Sequence, residues 1–166
     1  MNLASDARGP QAAAESARSR PSPRPASTLP SAAFQTPRMV RFSDCDPAGI
    51  AYTPRYVDML NGVIEDFFPA ALALDYHSLI ADGLGLGYAS LNCDFFRPGH
   101  MGDRLIMTAL VDRIGRTSAD FVIHGHQGDD EILRGRLVMV TTWLGQAIPL
   151  PPPIRAALTR YQEHCQ

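Results

Sequence analysis

One stretch decides the fold: residues 42–56, with the sequence FSDCDPAGIAYTPRY, in which a turn rich in Pro and Gly leads directly into an amphipathic helix. The turn carries Asp46 on irregular backbone, next to the first free N–H groups of the predicted helix. Free N–H groups and the helix dipole favour negative charge at such a position. We therefore interpret the stretch as an active-site loop that places a nucleophile beside a site for a developing oxyanion.

The apolar residues after the turn recur with the spacing of a helix. They fall at i, i+3, i+4, i+7, i+8, i+11 and i+12, and they are Tyr56, Met59, Leu60, Val63, Ile64, Phe67 and Phe68. Thr53 suits the N-cap and Pro54 the first helical position, and Pro69 helps to end the helix. The sequence predicts a helix of about four turns with one apolar face.

Strand-like runs make up the rest of the domain. A short run covers residues 38–44, and four longer runs cover residues 88–96, 103–113, 117–127 and 131–143. Turn residues separate the longer runs, so we expect hairpin connections between them. A strand, a long helix and four antiparallel strands make an α+β fold, in which the helix buries its apolar face against the sheet.

Composition divides the chain into three parts. Residues 1–37 are rich in Ala, Ser, Pro and Arg and lack apolar periodicity, so we expect a disordered N-terminal tail that is dispensable or precedes a true start at Met39. Residues 38–148 form the predicted domain. Residues 149–166 form a C-terminal extension, in which residues 154–164 can make a short helix.

Composition also narrows the classes of function. The chain has 166 residues, 45% hydrophobic content and a net charge of −2, which fits one globular domain and disfavours a nucleic-acid surface. All fifteen basic residues are Arg, which excludes Schiff-base chemistry on Lys and a Lys-dependent phosphate loop. No stretch is apolar enough to span a membrane, and the three separated cysteines lack metal-ligand spacing. We expect a cytoplasmic protein with no nucleic-acid, membrane or metal partner.

The run Asp44-Cys45-Asp46-Pro47-Ala48-Gly49-Ile50, followed by Pro54 and Tyr56, strongly resembles the signature of the 4-hydroxybenzoyl-CoA thioesterase family of hotdog-fold proteins. The resemblance extends loosely over residues 38–144. It implies a hotdog fold, in which an antiparallel sheet of about five strands wraps around the long helix. It also implies a homodimer that joins its sheets, often paired into a homotetramer, with the active site at the subunit interface.

The resemblance implies roles for residues at the turn. In the family, the Asp of the Asp-Pro pair attacks the thioester or activates water, and a backbone N–H at the start of the helix polarises the carbonyl; these positions are Asp46 and Thr53. Both roles of Asp46 stay open, and an Asx turn ahead of Pro47 is the structural alternative. Tyr52 is a second candidate donor and substrate contact. Asn61 stands where the 4-hydroxybenzoyl enzyme has an Asp near the acyl ring, so we expect it to contact the substrate.

Other polar side chains receive structural interpretations. We expect Asp44 to shape the loop, and the carboxylates on both sides of Cys45 disfavour a thiolate nucleophile there. His124 and His126 share one face of a strand, but no third ligand accompanies them, so we expect no metal site.

Arg113, Arg116 and Ser118 lie at a strand-turn-strand corner where related proteins bind the phosphates of coenzyme A. The guanidinium fork suits phosphate geometry, and the alternative is a pair of solvated Arg side chains. We expect an acyl-CoA thioesterase for an aromatic acyl group, such as benzoyl or hydroxybenzoyl, or for a short one. No cofactor is expected, because coenzyme A is part of the substrate. The alternatives are a thioesterase for acyl-carrier-protein thioesters and a non-catalytic acyl-CoA-binding protein.

Overall fold

The computed structural model describes residues 21–166. The helices are α1 (Thr53–Leu72), α2 (Tyr76–Ala81) and α3 (Pro152–His164). The strands are β1 (Phe34–Met39), β2 (Leu84–Phe95), β3 (Arg104–Ile114), β4 (Ser118–Gln127), β5 (Asp130–Trp143) and β6 (Gln146–Ala147). Short 3-10 turns at Ala26–Thr28 and Phe42–Asp44 flank β1. The element order is α+β as predicted, but the short strand expected at residues 38–44 lies earlier, at Phe34–Met39, and Phe42–Asp44 is a 3-10 turn.

The strands form one antiparallel sheet in the order β1-β3-β4-β5-β2, and β6 pairs with the end of β5. Hairpins join β3 to β4 and β4 to β5, as predicted. The hairpin expected between β2 and β3 is wrong, because β2 pairs with β5 and the connection at residues 96–103 crosses the end of the sheet. Pairing with β5 lets the sheet curl around the helix and leaves β1 and β2 at its two edges.

The apolar face of α1 packs against the concave side of the curled sheet, which confirms the predicted hotdog fold. Phe67 lies at the centre of this core. Its ring meets those of Phe34, Phe121 and Tyr161 edge-on, at centroid distances of 5.7, 5.6 and 4.7 Å. Gly135 on β5 lets the helix come close to the sheet, since a Cβ there would stand 2.7 Å from the Leu60 side chain. These contacts fix the position of α1 and of the loop that precedes it.

Helix α1 differs from the predicted helix at both ends. It begins with Thr53, and Tyr52 takes the N-cap position that we expected for Thr53. Pro69 does not end the helix, which continues to Leu72. A proline inside a helix costs one backbone hydrogen bond, but the burial of Phe68 and Leu72 in the core outweighs that loss.

Strand β2 contains a bulge at Ala89, between the residues Tyr88 and Ser90 that pair with β5. A bulge adds one residue to a strand and reverses the alternation of its side chains. Tyr88 faces α1 before the bulge and Phe95 faces it after the bulge. Strand β2 therefore turns an aromatic ring toward the helix on each side of the bulge.

Helix α3 closes one edge of the sheet. Strand β1 pairs with β3 only as far as Ala109, and side chains of α3 bind carbonyl groups of β3 from that residue onward. The Tyr161 hydroxyl donates to the Ala109 carbonyl at 2.6 Å, and the Gln162 amide donates to the Val111 carbonyl at 3.1 Å. The opposite edge, β2, has no second strand beside it within residues 21–166.

Residues 21–33 lie against the convex face of the sheet. The Arg24 N–H donates to the Glu131 carboxylate at 2.6 Å, and the Arg24 carbonyl accepts from His126 at 2.8 Å. The segment is held mainly through its backbone. The amino-acid composition of this segment could not reveal these contacts, because composition describes side chains and the contacts are made by backbone groups.

The disordered tail predicted for residues 1–37 is wrong over residues 21–37, where the chain contacts the sheet and then forms the start of β1 at Phe34. The remainder of that tail, residues 1–20, lies outside the described residues. The helix predicted in the C-terminal extension corresponds to α3. In the described part of the chain, no helix is both long and apolar enough to cross a membrane.

Candidate active site

The predicted active-site loop is a tight turn between β1 and α1. The Asp46 N–H donates to the Ile50 carbonyl at 3.0 Å, and the Gly49 N–H donates to the Asp46 carbonyl at 2.9 Å. Gly49 has a φ of 76°, a left-handed conformation that glycine adopts without strain. A bridge between Cys45 and Ala51 closes the loop. These contacts fix the backbone that carries Asp46.

Asp44 has the contacts of a residue that shapes the loop. Its carboxylate accepts a hydrogen bond from the Arg41 N–H at 2.8 Å, and its carbonyl accepts one from the Tyr52 N–H at 2.8 Å. The guanidinium of Arg55 lies 4.0 Å from the same carboxylate. Asp44 therefore ties the loop to β1 on one side and to α1 on the other.

Asp46 has one carboxylate oxygen engaged and one free. Oδ1 accepts a hydrogen bond from the Ala48 N–H at 2.8 Å, which is the Asx-turn contact considered above. Oδ2 has no hydrogen-bond partner among residues 21–166, and the side chain is half-buried. The turn contact orients the carboxylate, and the second oxygen is left available for chemistry.

Of the two backbone donors predicted at the start of α1, one is occupied and one is free. The Tyr52 N–H is bound to Asp44, so it is not available to a substrate. The Thr53 N–H has no acceptor in the described residues, and Pro54 carries no N–H. The Thr53 N–H is thus the donor that can meet a carbonyl oxygen at this end of the helix. The Tyr52 side chain is 54% exposed beside it.

An apolar groove of about 340 Å³ opens at the same end of the helix. Its walls come from the loop, from the first turn of α1 and from the connection after β2, namely Ile50, Ala51, Thr53, Tyr56 and residues 95–98. The Tyr56 hydroxyl accepts from the Gly99 N–H at 2.9 Å, and the Tyr56 ring lies 5.4 Å from that of Phe95. These contacts hold the connection after β2 against helix α1, so this wall of the groove is fixed in position.

Asn61 lies about two turns farther along α1, roughly 12 Å from Thr53 along the helix axis. Its amide oxygen accepts from the Tyr88 hydroxyl at 3.1 Å, and its amide nitrogen donates to Glu65 at 2.6 Å. Burial raises the pKa of Tyr88, with smaller effects from Tyr76 and Glu65, so the hydroxyl keeps its proton. Asn61 is therefore the middle of a polar chain, and sequence reasoning missed both of its partners.

The predicted coenzyme A residues lie at the turn between β3 and β4. Arg113 donates a hydrogen bond to the Asp120 carboxylate at 2.8 Å, and this bond raises the pKa of Arg113. Arg116 is exposed, and no partner of its side chain lies within the described residues. Ser118 is half-buried at the first position of β4. Arg116 is thus the cation at this turn that remains available to a ligand.

The loop and the groove lie in the part of the chain that matches a known protein family. A family model described as the thioesterase-like superfamily matches residues 40–158, which is more than half of the chain. The chain belongs to the thioesterase-like superfamily. The matched region contains the Asp46 loop, the groove and the β3–β4 turn, whereas residues 21–39 precede it.

Relatives within the thioesterase-like superfamily have been named for their substrates. The 1,4-dihydroxy-2-naphthoyl-CoA hydrolase of Synechocystis sp. is 28% identical over 132 residues, which cover 75% of this chain and 94% of that protein. The protein of the same name from Synechococcus elongatus is 30% identical over 99 residues, which cover 57% of this chain and 72% of that protein.

Solved structures of the superfamily share the fold. The crystal structure of a 1,4-dihydroxy-2-naphthoyl-CoA thioesterase from Synechocystis is similar with a TM-score of 0.67 and 25% identity, over 76% of this chain and 95% of that one. A gentisyl-coenzyme A thioesterase is similar with a TM-score of 0.70 and 22% identity, over 76% of this chain and 99% of that one. The second likeness bears on the fold alone.

A single chain of this superfamily member brings only some of the predicted residues together. Thr53 lines the groove at the start of α1, and Asp46 lies in the loop that precedes this end of the helix. The β3–β4 turn lies at the other end of β3, about 33 Å away for a strand of 11 residues. Asn61 lies between these two ends. His124 and His126 stack at 6.0 Å on the convex face, and residues 21–166 contain no group of three or more potential ligands that could hold a metal ion.

Proposed function

We propose that this protein is a thioesterase that hydrolyses an aromatic acyl-CoA thioester to a free carboxylic acid and coenzyme A. The observation that carries the proposal is the placement of Asp46 in the rigid turn that leads into α1: among residues 21–166, one of its carboxylate oxygens and the Thr53 N–H at the start of the helix have no partner. The groove at the same point gives an acyl group a place to bind. The names of the relatives, which are hydrolases of an aromatic CoA thioester, support the same class of substrate.

The chemistry follows from these two groups. The Thr53 N–H, aided by the helix dipole, binds the thioester carbonyl oxygen and stabilises the negative charge that develops there. In one route, Asp46 Oδ2 attacks the carbonyl carbon, the C–S bond breaks, and water then hydrolyses the mixed anhydride. In the other route, Asp46 accepts a proton from a water molecule that attacks the same carbon. Coenzyme A leaves as a thiolate of low basicity, so neither route needs a strong general acid.

The walls of the groove favour a flat apolar acyl group. Tyr56 and Phe95 supply aromatic surface, and Pro98 supplies a rigid edge. Aromatic rings pack well against such surfaces in offset or edge-on arrangements. Tyr52, exposed at the mouth of the groove, is placed to contact the substrate through its side chain rather than its backbone.

A homodimer would complete the site. The open edge of β2 can pair antiparallel with its copy and join the two sheets. In that pairing, the Phe95 end of one strand lies opposite the Leu84 end of the other. Leu84 pairs with Trp143, at the end of the sheet where β4 begins. The β3–β4 turn of one subunit and the Asp46 loop of the other would then lie at the same end of the joined sheet.

A panel of thioesters tests the proposed reaction. The purified full chain is assayed for free thiol release with benzoyl, 4-hydroxybenzoyl, 1,4-dihydroxy-2-naphthoyl, phenylacetyl and acetyl CoA esters, and with a benzoyl carrier protein. We expect the highest kcat/KM with an aromatic CoA ester. Preferential cleavage of the carrier-protein ester would favour the carrier-protein alternative. Tight binding of aromatic CoA esters without any turnover would identify a non-catalytic binding protein.

Mixing a catalytic variant with a variant of the phosphate-binding turn, both assayed well below the wild-type KM so that each defect lowers the rate, tests the shared site. Subunits with Asp46→Asn and subunits with Arg116→Ala are unfolded together and refolded, so that mixed dimers form. Each mixed dimer has one intact site if the two residues act across the interface, and statistical mixing then restores about a quarter of wild-type activity. No recovery in a sample shown to be dimeric by light scattering would contradict the shared site.

A further inference from the structure

The turn at residues 115–118 between β3 and β4 is held by the C-terminal part of the chain. The Arg155 guanidinium, on α3, donates through Nη2 to the Gly115 carbonyl at 2.6 Å and to the Arg116 carbonyl at 3.2 Å. The Leu150 N–H donates to the same Arg116 carbonyl at 2.8 Å. Two successive carbonyl groups of the turn therefore point toward α3 and the segment before it.

The direction of these carbonyls fixes the direction of two N–H groups. All peptide bonds of the described residues are trans, and in a planar trans peptide the N–H points opposite to the C=O. The N–H groups of Arg116 and Thr117 therefore point away from Arg155, both to the outer side of the turn. Neither has an acceptor among residues 21–166. The turn presents two adjacent free donors to its surroundings.

The charges near the turn favour an anion. Arg113 is neutralised by Asp120, but Arg116 has no carboxylate partner in the described residues. Within residues 21–166 Arg155 bonds to carbonyl groups alone, so no carboxylate of this part of the chain compensates its positive charge. The exposed carboxylate of Asp112 is the opposing charge in this neighbourhood. Adjacent backbone N–H groups that point the same way form concavities that bind anions, and nearby Arg side chains strengthen them.

We propose that Arg155 is a positioning residue: by binding the Gly115 and Arg116 carbonyls, it aims the Arg116 and Thr117 N–H groups at the coenzyme A phosphate that the resemblance to related thioesterases implies at this turn. This inference rests on the proposed function for the identity of the ligand. Arg155 itself acts through the two carbonyls and adds its charge behind the turn. Loss of Arg155 would free the Gly115 carbonyl and allow the first peptide of the turn to rotate.

Loss of Arg155 should not release helix α3. Tyr161 and Gln162 hold the helix to β3 through the carbonyls of Ala109 and Val111. The Leu150 N–H also keeps its bond to the Arg116 carbonyl. Arg155→Ala is therefore expected to fold, and its effect on the turn can be separated from an effect on the whole protein.

Two thioesters of the same acyl group separate phosphate binding from catalysis. The first is the aromatic acyl-CoA ester that the wild type hydrolyses best, and the second is the N-acetylcysteamine ester, which lacks every phosphate. For the CoA ester we expect Arg155→Ala to raise KM roughly tenfold while kcat stays within about twofold. For the truncated ester we expect no change in kcat/KM. Arg155→Lys, whose ammonium can still donate to the carbonyls, should restore part of the loss.

Arg160→Ala is the matched control, because Arg160 is an exposed Arg on the same helix with no partner in the described residues. It should leave both substrates unchanged. An equal loss on both thioesters by Arg155→Ala would assign Arg155 a general structural role and overturn the inference. An unchanged KM for the CoA ester would overturn it as well.

Calorimetry with ligands that contain no thioester measures phosphate binding without relying on hydrolysis. Coenzyme A and pantetheine are titrated into the wild type and into Arg155→Ala. Stronger binding of coenzyme A than of pantetheine, lost in the variant, supports the phosphate site even if no thioester is hydrolysed. Equal binding of the two ligands by the wild type would overturn the site, whatever the outcome of the hydrolysis panel.

Discussion

Asp46 and Glu131 are two carboxylates of this protein in opposite surroundings. Asp46 lies half-buried in a turn with one oxygen bound to the Ala48 N–H and the other without a partner in the described part of the chain. Glu131 is fully buried on the convex face of the sheet. It accepts hydrogen bonds from the Arg24 N–H, from His124 at 2.6 Å and from Arg134.

The cluster around Glu131 resembles an active site more than the Asp46 loop does. However, Glu131, His124 and Arg134 all form hydrogen bonds that hold the structure together. Although burial raises the pKa of Glu131, its hydrogen bonds from Arg134, from the Arg24 N–H and from His124 hold the pKa below its usual value. Arg134 also binds the Ser22 carbonyl at 3.0 Å. The cluster therefore fastens residues 21–33 to the sheet.

The contrast teaches that reactivity follows the groups that the fold leaves unpaired. A carboxylate that accepts several hydrogen bonds has little capacity left to attack or to accept a proton. Asp46 keeps such capacity within the described residues, and it does so in the loop that leads to the unpaired Thr53 N–H. We therefore expect substitutions at Asp46 to change the rate of hydrolysis and substitutions at Glu131 to change stability.

The largest expected effect is that of Asp46→Asn on hydrolysis. The amide oxygen can still accept from the Ala48 N–H, but it can neither attack the thioester nor accept a proton from water. We expect kcat to fall roughly 10³-fold with the best aromatic CoA ester, with a stability change below about 1 kcal/mol. Asp58→Asn is the control, since Asp58 is an exposed carboxylate on α1 that pairs with Arg55 at 3.3 Å. A near-normal rate for Asp46→Asn would remove Asp46 from the mechanism.

The second effect is that of Glu131→Ala on stability. The change leaves Arg134 and His124 buried without their carboxylate, and breaking a buried ion pair costs about 3–5 kcal/mol. Urea denaturation of wild type and variant measures the difference, and hydrolysis per folded molecule should stay within about twofold. Glu131→Gln keeps an acceptor and should lose less. Loss of hydrolysis without loss of stability would reverse the assigned roles of the two carboxylates.

The third effect is a dependence of stability on pH that arises from His124. Burial lowers the pKa of His124 to about 4, against the opposing effect of Glu131. Between about pH 6.5 and pH 4 the unfolded chain binds a proton at this position that the folded protein does not bind. The free energy of unfolding therefore decreases as the pH falls through this window. The lowered pKa of Glu131 acts in the same direction below about pH 4.5.

Urea titrations at pH 7, 6 and 5 measure this dependence. His124→Gln cannot take up the proton, so its free energy of unfolding should fall less steeply with pH, by up to about 1.4 kcal/mol per pH unit. His77→Gln is the control, because His77 is exposed. Equal slopes for the wild type and His124→Gln would mean that His124 does not titrate differently in the folded and unfolded chain.

The same contrast explains what the sequence could predict. The Asp46 loop and helix α1 were predictable because their determinants are contiguous: the Asx turn at Asp46, Gly49 at a positive φ, and the apolar face that begins at Tyr56. Each of these acts within a few residues of the chain. Pattern and turn chemistry report such local preferences directly.

The other contacts could not be predicted, because they join residues far apart in sequence. Tyr56 and Gly99, which hold the groove, are 43 residues apart, and Arg24 and Glu131 are 107 apart. The pairing of β2 with β5 rather than with β3 decides which of these segments meet. Periodicity predicts a strand but not its neighbour, so the groove and the N-terminal contacts appear only in the folded chain.

The smallest expected effect is that of Tyr88→Phe. Tyr88 is linked through Asn61 to Glu65, a carboxylate whose surroundings are intermediate between those of Asp46 and Glu131. Glu65 is half-buried and accepts one hydrogen bond from Asn61, which in turn accepts from Tyr88. Removing the Tyr88 hydroxyl should cost about 1 kcal/mol of stability. It also frees the Asn61 oxygen to accept from a substrate. If the polar chain faces the acyl group in a dimer, the ratio of kcat/KM for 4-hydroxybenzoyl-CoA to that for benzoyl-CoA should change a few-fold. A loss of stability with an unchanged ratio would place Glu65 with Glu131, among the carboxylates that only hold the fold.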